Sequence, residues 1–308
     1  MSARSPAVAA AIHDLELAAR MVVEGLRAGG HRSPFHGYSA EFQQHRPYRA
    51  GDDLKYLDWK ILARTDRLYT RQFRETTSMS VMLVLDASAS MAFPENATSK
   101  FRYASLVAAA LAYLITTQGD AVGLMSASDD ALTYVPARGG RPHLRLLLAR
   151  IERLEPAGAW QPDRQIARAA ELLKRRGLVI VLSDFYDAED ATRRELRRVV
   201  RRGHDVAMLQ VLAPAELALP WRGDIEFHDL ESGERRRLDA DAVRRPYDVA
   251  VREFVERCRM QAQRDGIDYV LLPTDAPPER TLRTWLLRRE ARLAAGHAAG
   301  RTGRTGGP

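Results

Sequence analysis

The sequence predicts an α/β fold in which a doubly wound, mostly parallel sheet carries helices on both faces. Strand-like and helix-like patterns alternate over residues 79–295, as they do where each strand returns through a helix to the next strand. Two runs of large apolar residues, 81–85 and 178–182, have the unbroken hydrophobicity of strands that are buried on both sides. A chain of 308 residues with 45% hydrophobic and 28% charged residues is long and apolar enough to build such a core.

The other elements are predicted from the same periodicities and from the turn residues that flank them. Helices are expected over residues 7–26, 100–118, 142–154, 163–175, 188–202, 247–264 and 278–295, and strands over 68–74, 121–127, 131–136, 205–212 and 269–272. The strand 131–136 follows the turn Asp129-Asp130 and is expected to run antiparallel at the edge of the sheet. Residues 225–238 are predicted to form a hairpin around Ser232-Gly233.

Four regions are expected along the chain. A helix occupies residues 1–30, a module dense in aromatic and charged side chains occupies 31–78, the α/β domain occupies 79–295, and a glycine-rich tail over 296–308 is expected to be disordered. The module is interpreted as largely structural. Its aromatic side chains are predicted to be buried and its charged side chains to form paired polar networks. The aromatic residues are Tyr48, Trp59 and Phe73, and the charged ones are Arg46, Arg49, Asp52, Asp53 and Asp58.

Composition excludes several classes of protein. No apolar run reaches the roughly 18 residues that a membrane span needs, and no secretory signal is recognisable at the N-terminus. Cys258 is the only cysteine, so no internal disulfide can form. A single thiol is typical of a reducing compartment, and the predicted location is the cytoplasm.

The net charge of +7 raises the alternative of arginine-mediated nucleic-acid binding. The chain has only four lysines, Lys55, Lys60, Lys100 and Lys174, so nearly all of its positive charge is arginine. The arginines within 193–202 recur at helical spacing and are interpreted as one solvated helix face.

Polar side chains follow both buried strands at the point where each strand ends. Asp86, Ser88 and Ser90 come after the run 81–85, and Asp184 comes after the run 178–182. If the two strands are neighbours, these side chains meet at one edge of the sheet, where open α/β folds place their binding crevice. Oxygen donors of this kind suit Mg²⁺, and a bound cation would relieve the repulsion between the carboxylates. The alternative is that they cap helices and shape turns.

Two resemblances follow from these residues. Asp86-x-Ser88-x-Ser90 together with Ser183-Asp184 resembles the metal-ion-dependent adhesion site of von Willebrand factor A domains. A second set of motifs resembles the signature of the bacterial DUF58 family, which joins this signature to a von Willebrand A-like domain. These motifs are Gly37-Tyr38-Ser39, Arg46-Pro47-Tyr48, Gly51-Asp52-Asp53, Asp58-Trp59-Lys60 and Tyr69-Thr70-Arg71-Gln72-Phe73.

The resemblance implies a von Willebrand A-like doubly wound domain behind an N-terminal signature module, and a non-enzymatic protein-interaction role. The implied partner is a MoxR-type AAA+ ATPase, and the implied process is the assembly or remodelling of a complex. By this analogy Ser88 and Ser90 would bind Mg²⁺ directly and Asp86 and Asp184 through water, while a partner's carboxylate would complete the octahedron.

One departure from the adhesion-site pattern concerns a threonine that the family site draws on. The corresponding loop, residues 158–163, contains no Thr or Ser, so the site is degenerate by this comparison and only weak Mg²⁺ binding is expected. Asp163 in this loop could replace the threonine as an oxygen ligand, but the preferred interpretation is a helix N-cap. The alternative from another class is a Mg²⁺-dependent hydrolase that uses Asp86 and Asp184, but the sequence offers no general base or nucleophile for it.

Overall fold

The computed structural model describes residues 14–27, 37–49, 57–65, 67–77, 79–94, 98–128, 131–186, 189–230 and 233–302. In chain order the elements are α1 (Leu15–Arg27), β1 (Gly37–Pro47), α2 (Trp59–Thr65), β2 (Tyr69–Thr77), β3 (Ser80–Asp86), α3 (Lys100–Thr117), β4 (Ala121–Ser128), β5 (Ala131–Arg138), α4 (Arg141–Glu152), α5 (Arg168–Leu172), β6 (Leu178–Ser183), α6 (Glu189–Arg201), β7 (Asp205–Leu212), α7 (Pro214–Leu217), β8 (Asp224–His228), β9 (Arg235–Asp239), α8 (Ala240–Arg264), β10 (Asp268–Pro273) and α9 (Pro278–Thr302). The chain divides into two compact units, Phe35–Met79 and the remainder.

The larger unit is built on a six-stranded sheet in the order β10-β7-β6-β3-β4-β5. Every neighbouring pair is parallel except β4 and β5, which are antiparallel at one edge. The predictions of a doubly wound, mostly parallel sheet and of an antiparallel edge strand at 131–136 are therefore confirmed. The two unbroken apolar runs are adjacent central strands, because β3 pairs directly with β6.

Helices cover both faces of this sheet, which explains why the central strands are apolar at every position. On one face, side chains of the strands pack with the helices α5, α6 and α8; this cluster includes Met82, Val84, Val179, Val181, Leu196 and Phe254. On the other face α3 packs against β3, β4, β6 and β7, and α1 packs on α3. Full burial of a side chain such as Leu83 or Leu85 stabilises the fold by roughly 1.5–3 kcal/mol.

Two helix boundaries differ by seven residues from the prediction, and the helix predicted over 163–175 ends at Leu172. Helix α8 begins at Ala240 rather than at 247, with Asp239 as its N-cap and Pro246 inside it. The predicted start lies directly after Pro246, a residue that disfavours a helix interior, but the side chain of Asp239 accepts a hydrogen bond from the Asp241 N–H and starts the helix before the proline. Helix α9 extends to Thr302, past the predicted end at 295, because alanines between the glycines favour continuation. The disordered tail predicted from 296 is therefore wrong as far as Thr302, and residues 303–308 lie outside the described residues.

The smaller unit pairs β1 with β2 in antiparallel register. The sequence did not predict β1, because register shifts between Gly37 and Ala40 and between Phe42 and Gln44 break the two-residue alternation that identifies a strand. Helix α2 is capped by the buried Asp58, whose Oδ1 accepts a hydrogen bond from the Ile61 N–H at 3.2 Å.

The predicted burial of the aromatic residues in this unit is wrong for Trp59, whose side chain is 62% exposed. Trp59 is the first residue of α2, and Ile61 and Leu62 occupy the half-buried face of that helix instead. Tyr48 is half-buried. Asp52, Asp53 and the side chains of Arg46 and Phe73 lie outside the described residues. In the described ranges, no helix combines the length and the apolarity that crossing a bilayer requires.

Candidate functional site

The carboxyl ends of β3 and β6 bring together the four residues predicted from the sequence. Ser90 Oγ donates a hydrogen bond to Asp184 Oδ2 at 3.0 Å, and the hydroxyls of Ser88 and Ser90 lie 3.2 Å apart. Asp86 lies beneath them and is fully buried. We refer to the cluster of Asp86, Ser88, Ser90 and Asp184 as the crevice. Its position follows from the pairing of β3 with β6, which places the last residues of both strands at the same edge of the sheet.

Both oxygens of Asp86 are engaged by groups of the chain itself. Oδ1 accepts the Ser88 N–H at 2.8 Å, and Oδ2 accepts the Ser183 hydroxyl at 2.5 Å. Burial raises the pKa of Asp86 to about 7, and the nearby negative charge of Asp184 adds to the rise. The carboxylate thus fixes the turn between β3 and the serines from beneath.

The turn after β6 is held in a strained conformation. Phe185 has a φ of 61°, in the left-handed region that non-glycine residues rarely adopt. The Tyr186 N–H donates to Asp184 Oδ1 at 3.2 Å, and the amide of Gln210 donates to the Asp184 carbonyl at 2.9 Å. Such strain costs on the order of 1–3 kcal/mol and persists where the surrounding bonds over-determine the backbone. Here those bonds fix the direction of the Asp184 carboxylate.

Helix capping does not account for the serines of the crevice. Ser88 precedes a short 3₁₀ turn, Ala89–Ala92, but its side chain makes no capping hydrogen bond. The cap of α3 is Ser99, whose Oγ accepts the Arg102 N–H at 3.1 Å. Ser88 therefore stands at the cap position without a side-chain capping bond, while Asp86 and Asp184 shape turns as the alternative expects.

A cation that the sequence reasoning missed lies at the crevice. Lys100 Nζ donates to Asp184 Oδ2 and to Glu216 Oε1, both at 2.6 Å, and the lysine side chain is only 1% exposed. The ring of Tyr186 lies 5.4 Å from Nζ. Burial opposes the charge of Lys100, but Asp184 and Glu216 outweigh it and raise the pKa of the amine above its usual value. The group is therefore an ammonium at neutral pH.

Glu216 enters the site from the turn after β7. It belongs to α7, and its Oε2 accepts the Ala213 N–H at 2.7 Å while its Oε1 receives Lys100. Burial raises the pKa of Glu216, with a further contribution from Asp184, while Lys100 acts in the opposite direction.

One signal in the sequence pointed to Lys100, because a lysine shortly after the serine loop stands out in a chain whose positive charge is almost all arginine. A compact ammonium fits between two carboxylates where a planar guanidinium needs more room.

The oxygens of the crevice have suitable spacing for Mg²⁺, but their charge environment does not fit the ion. The Ser88–Ser90 and Ser90–Asp184 distances of 3.2 and 3.0 Å are close to the roughly 3 Å between adjacent corners of an octahedron with bonds of about 2.1 Å. However, Asp184 Oδ2 already accepts Lys100 at 2.6 Å. A Mg²⁺ ion on that oxygen would lie no farther than about 4.7 Å from Nζ, where an effective dielectric constant near 20 gives a repulsion on the order of 7 kcal/mol. Within the described part of the chain, no three His, Cys, Asp or Glu residues form a group that could hold a metal ion.

The loop that lacks the threonine is tied to the serine loop by its backbone. The Ala157 N–H donates to the Ala87 carbonyl at 2.9 Å, and the Ala89 N–H donates to the Gly158 carbonyl at 2.8 Å. Trp160 is buried, and its indole N–H donates to Thr192 Oγ1 at 2.9 Å. The interpretation of Asp163 as an N-cap is wrong, because Pro162 occupies the cap position and Asp163 is exposed within a π-helical turn.

The arginine-rich face of α6 is partly neutralised by neighbouring acids. Arg193 and Arg197 lie within 3.4 Å of Asp265, and Glu195 pairs with Arg198 at 2.6 Å. Because these charges are paired within the protein, the face offers less free positive potential to a phosphate backbone than its composition suggests.

Comparison with known proteins identifies relatives of the chain. The model of the family described as "Protein of unknown function DUF58" matches residues 44–257. Uncharacterized protein Rv1480 of Mycobacterium tuberculosis (strain ATCC 25618 / H37Rv) is 34% identical over 244 residues, which cover 78% of this chain and 76% of that protein. Uncharacterized protein YeaD of Bacillus subtilis (strain 168) is 29% identical over 117 residues, 38% of this chain and 27% of that protein.

Solved structures that superpose on the chain include an aerotolerance-related membrane protein from Bacteroides fragilis NCTC 9343. It superposes with a TM-score of 0.49 at 16% sequence identity, covering 70% of this chain and 100% of that one. The VWA domain of SpRpn10 superposes with a TM-score of 0.39 at 13% identity, covering 67% of this chain and 94% of that one. The resemblance to the DUF58 signature that was drawn from the sequence is confirmed by the match to the family model.

Proposed function

This chain belongs to the DUF58 family, and from that premise we propose that it is a non-enzymatic interaction protein that docks a partner at the crevice. The partner that the family resemblance implies is a MoxR-type AAA+ ATPase. The process in which the two would act is the assembly or remodelling of a complex. The von Willebrand A-like sheet supplies the rigid frame for this role, since it presents the serine loop at the carboxyl edge of its two central strands.

The observation that supports this proposal most is the engagement of the crevice carboxylates by internal donors. Asp86 accepts hydrogen bonds from Ser88 and Ser183, and Asp184 accepts them from Ser90, Lys100 and Tyr186. A general base needs an oxygen within reach of a proton on water or substrate. Carboxylates that are already held by the chain are better suited to positioning the serine hydroxyls for recognition.

Aromatic side chains beside the crevice favour a protein partner. Tyr186 is 36% exposed next to Asp184, and Trp221 is 40% exposed. Trp221 packs edge to face against Phe93, whose carbonyl accepts the Lys100 N–H at 2.9 Å. Tyrosine and tryptophan are the residues that most often carry the binding energy of protein interfaces.

The alternatives of a hydrolase and of a nucleic-acid binder gain less support. The hydrolase needs a free base and a bound metal ion, and the crevice fits neither requirement. The nucleic-acid binder needs unpaired basic side chains, whereas several arginines of α6 have acidic partners.

The test is the affinity of a MoxR-type ATPase from the same organism for the wild-type protein and for Ser88→Ala and Ser90→Ala. We expect Ser90→Ala to weaken binding by about tenfold or more, the effect of losing about 1.4 kcal/mol at a central contact. Ser88→Ala is expected to weaken binding less, because its buried hydroxyl acts only through Ser90. Ser80→Ala is the matched control, because Ser80 lies at the opposite, amino end of the same strand. Binding that tolerates both crevice substitutions, or no binding to the ATPase at all, would contradict the proposal.

A further inference from the structure

We propose that the ammonium of Lys100 is the permanent cation of the crevice, so that the site needs no divalent metal ion. The family pattern leads one to expect a cation near Asp86 and Asp184, where carboxylates converge in a buried region. The structure provides one from the chain itself, with Nζ at 2.6 Å from both Asp184 Oδ2 and Glu216 Oε1. This inference concerns the same crevice as the proposed function but does not depend on a partner.

The position of Lys100 in its helix supports this assignment. Lys100 is the first residue of α3, where the positive end of the helix dipole disfavours a cation. Burial at 1% exposure disfavours the charge as well. Neither helix stability nor solvation accounts for a lysine at this position, whereas the two carboxylates in contact with Nζ do.

Both carboxylates that bind Lys100 are fixed from their other side. Asp184 Oδ1 accepts the Tyr186 N–H, and Glu216 Oε2 accepts the Ala213 N–H. Each carboxylate therefore presents one oxygen to the lysine and cannot turn away without losing a backbone hydrogen bond. A metal ion that replaced the ammonium would have to displace a side chain held by two ion pairs, while one that joined it would face a like charge on the same oxygen.

A consequence for recognition follows, and it rests on the proposed function. Without a metal ion, the crevice offers the half-buried hydroxyl of Ser90 instead of an open coordination position, whereas Ser88 is only 1% exposed. The carboxylates of Asp184 and Glu216 outnumber the one ammonium that they share, so an incoming carboxylate is disfavoured. The ligand class that fits is a neutral hydrogen-bond donor of the partner, such as an amide N–H, because Ser90 Oγ donates its own proton to Asp184 and keeps a lone pair to accept with.

The experiment is a titration of the full chain with Mn²⁺, which serves as the probe for a Mg²⁺-type site and is followed by electron paramagnetic resonance. Wild type and the control Lys174→Met, at an exposed lysine, are expected to show no stoichiometric binding at millimolar Mn²⁺. Lys100→Met is expected to bind Mn²⁺ at least about tenfold more tightly than wild type. Adding Asp184→Asn to Lys100→Met is expected to abolish that gain.

The folding of the variants is controlled separately. If Lys100→Met does not fold, Lys100→Met/Glu216→Gln removes one of the two uncompensated carboxylates and retains Asp184 for the ion. Two results would overturn the inference. One is that wild type binds Mn²⁺ stoichiometrically and Ser90→Ala does not. The other is that wild type and the folded Lys100 variants bind Mn²⁺ with equal affinity. No partner is present in this titration, so a result against the role of Lys100 leaves the docking proposal standing. An ATPase that does not bind the protein would in turn leave the role of Lys100 standing.

Discussion

Lys100 Nζ lies 2.6 Å from Asp184 Oδ2 in an ion pair whose side chains are only 1% and 3% exposed. The pair joins the start of α3 to the end of β6, so it holds the serine loop and the strained turn at Phe185 in one arrangement. Ser90 donates to the same carboxylate oxygen. The position of the exposed part of the crevice therefore depends on a contact that is closed to solvent.

The first prediction concerns the stability that this pair provides. Lys100→Met leaves Asp184 and Glu216 without their cation, and breaking a buried pair in this way costs roughly 3–5 kcal/mol. Urea denaturation of the variant and of wild type measures this difference. The exposed Lys174→Met is the control and is expected to change the unfolding free energy by less than about 0.5 kcal/mol. If Lys100→Met were as stable as wild type, the ion pair would not organise the crevice.

A second prediction concerns a separate buried cation, Arg289, which is 0% exposed and pairs with Asp205 and Asp268 at 2.7 and 2.9 Å. Arg289 also lowers the pKa of Asp205, although burial acts in the opposite direction. We expect Arg289→Met to cost roughly 3–5 kcal/mol in chemical denaturation. The matched control is Arg292→Met, which removes a pairing with the same Asp268 from a side chain that is 46% exposed. That change is expected to cost about 1 kcal/mol or less, and equal effects of the two substitutions would contradict the prediction.

The third prediction is a pH dependence that arises at His204. Its Nδ1 accepts the Gly177 N–H at 3.2 Å, and burial, together with the charge of Arg202, lowers the pKa of the ring below its usual 6.5. The unfolded chain therefore binds a proton before the folded protein does. Stability from this group is present above pH 6.5 and is lost as the pH falls from 6.5 toward the folded-state pKa.

The measurement is the melting temperature of wild type and of His204→Asn between pH 7.5 and 5.5. Wild type is expected to lose stability more steeply on acidification than the variant, which has no proton to take up at this position. Parallel curves for the two proteins would mean that His204 contributes nothing to the dependence.

A fourth prediction compares the stability contributed by a buried and by an exposed side chain of the smaller unit. Trp59 is 62% exposed, whereas Leu57 is 3% exposed. Leu57→Ala is expected to cost about 2–5 kcal/mol through the cavity that it leaves, while Trp59→Ala is expected to stay within about 0.5 kcal/mol of wild type. Thermal denaturation compares the two. A large loss of stability in Trp59→Ala would contradict the exposed position of the indole.

The sequence was sufficient to predict the elements of this fold that depend on local pattern. Val81 and Leu178 begin apolar runs that have no polar face, so they had to be central strands, and parallel pairing then placed Asp86 and Asp184 at one edge. Strand β1 was not predicted, because its register shifts interrupt the alternation. The exposure of Trp59 was missed because an aromatic residue in a dense motif suggests burial, whereas the face it occupies is decided by packing.

Lys100 stands out in the sequence as a lysine among arginines, but its pairing with the crevice could not be predicted from local pattern. Lys100 and Glu216 are 116 residues apart, and Glu216 lies on a short helix after β7 that no periodicity connects with the serine loop. Once β3, β6 and β7 are adjacent, the ends of the strands bring these side chains together. The proximity of Asp86 and Asp184 was therefore predictable from the sequence. Identifying Lys100 as the source of the compensating charge required the tertiary structure.

The most direct test of this account is the affinity of the wild-type protein for the MoxR-type ATPase in Mg²⁺ and in EDTA. The ATPase is kept nucleotide-free in both conditions, so that the chelator removes no nucleotide-bound metal ion. Because Lys100 supplies the charge of the crevice from within, we expect the dissociation constant to agree within about twofold between the two conditions. A loss of about tenfold or more in EDTA that excess Mg²⁺ restores would show that a metal ion completes the docking site and would contradict the account.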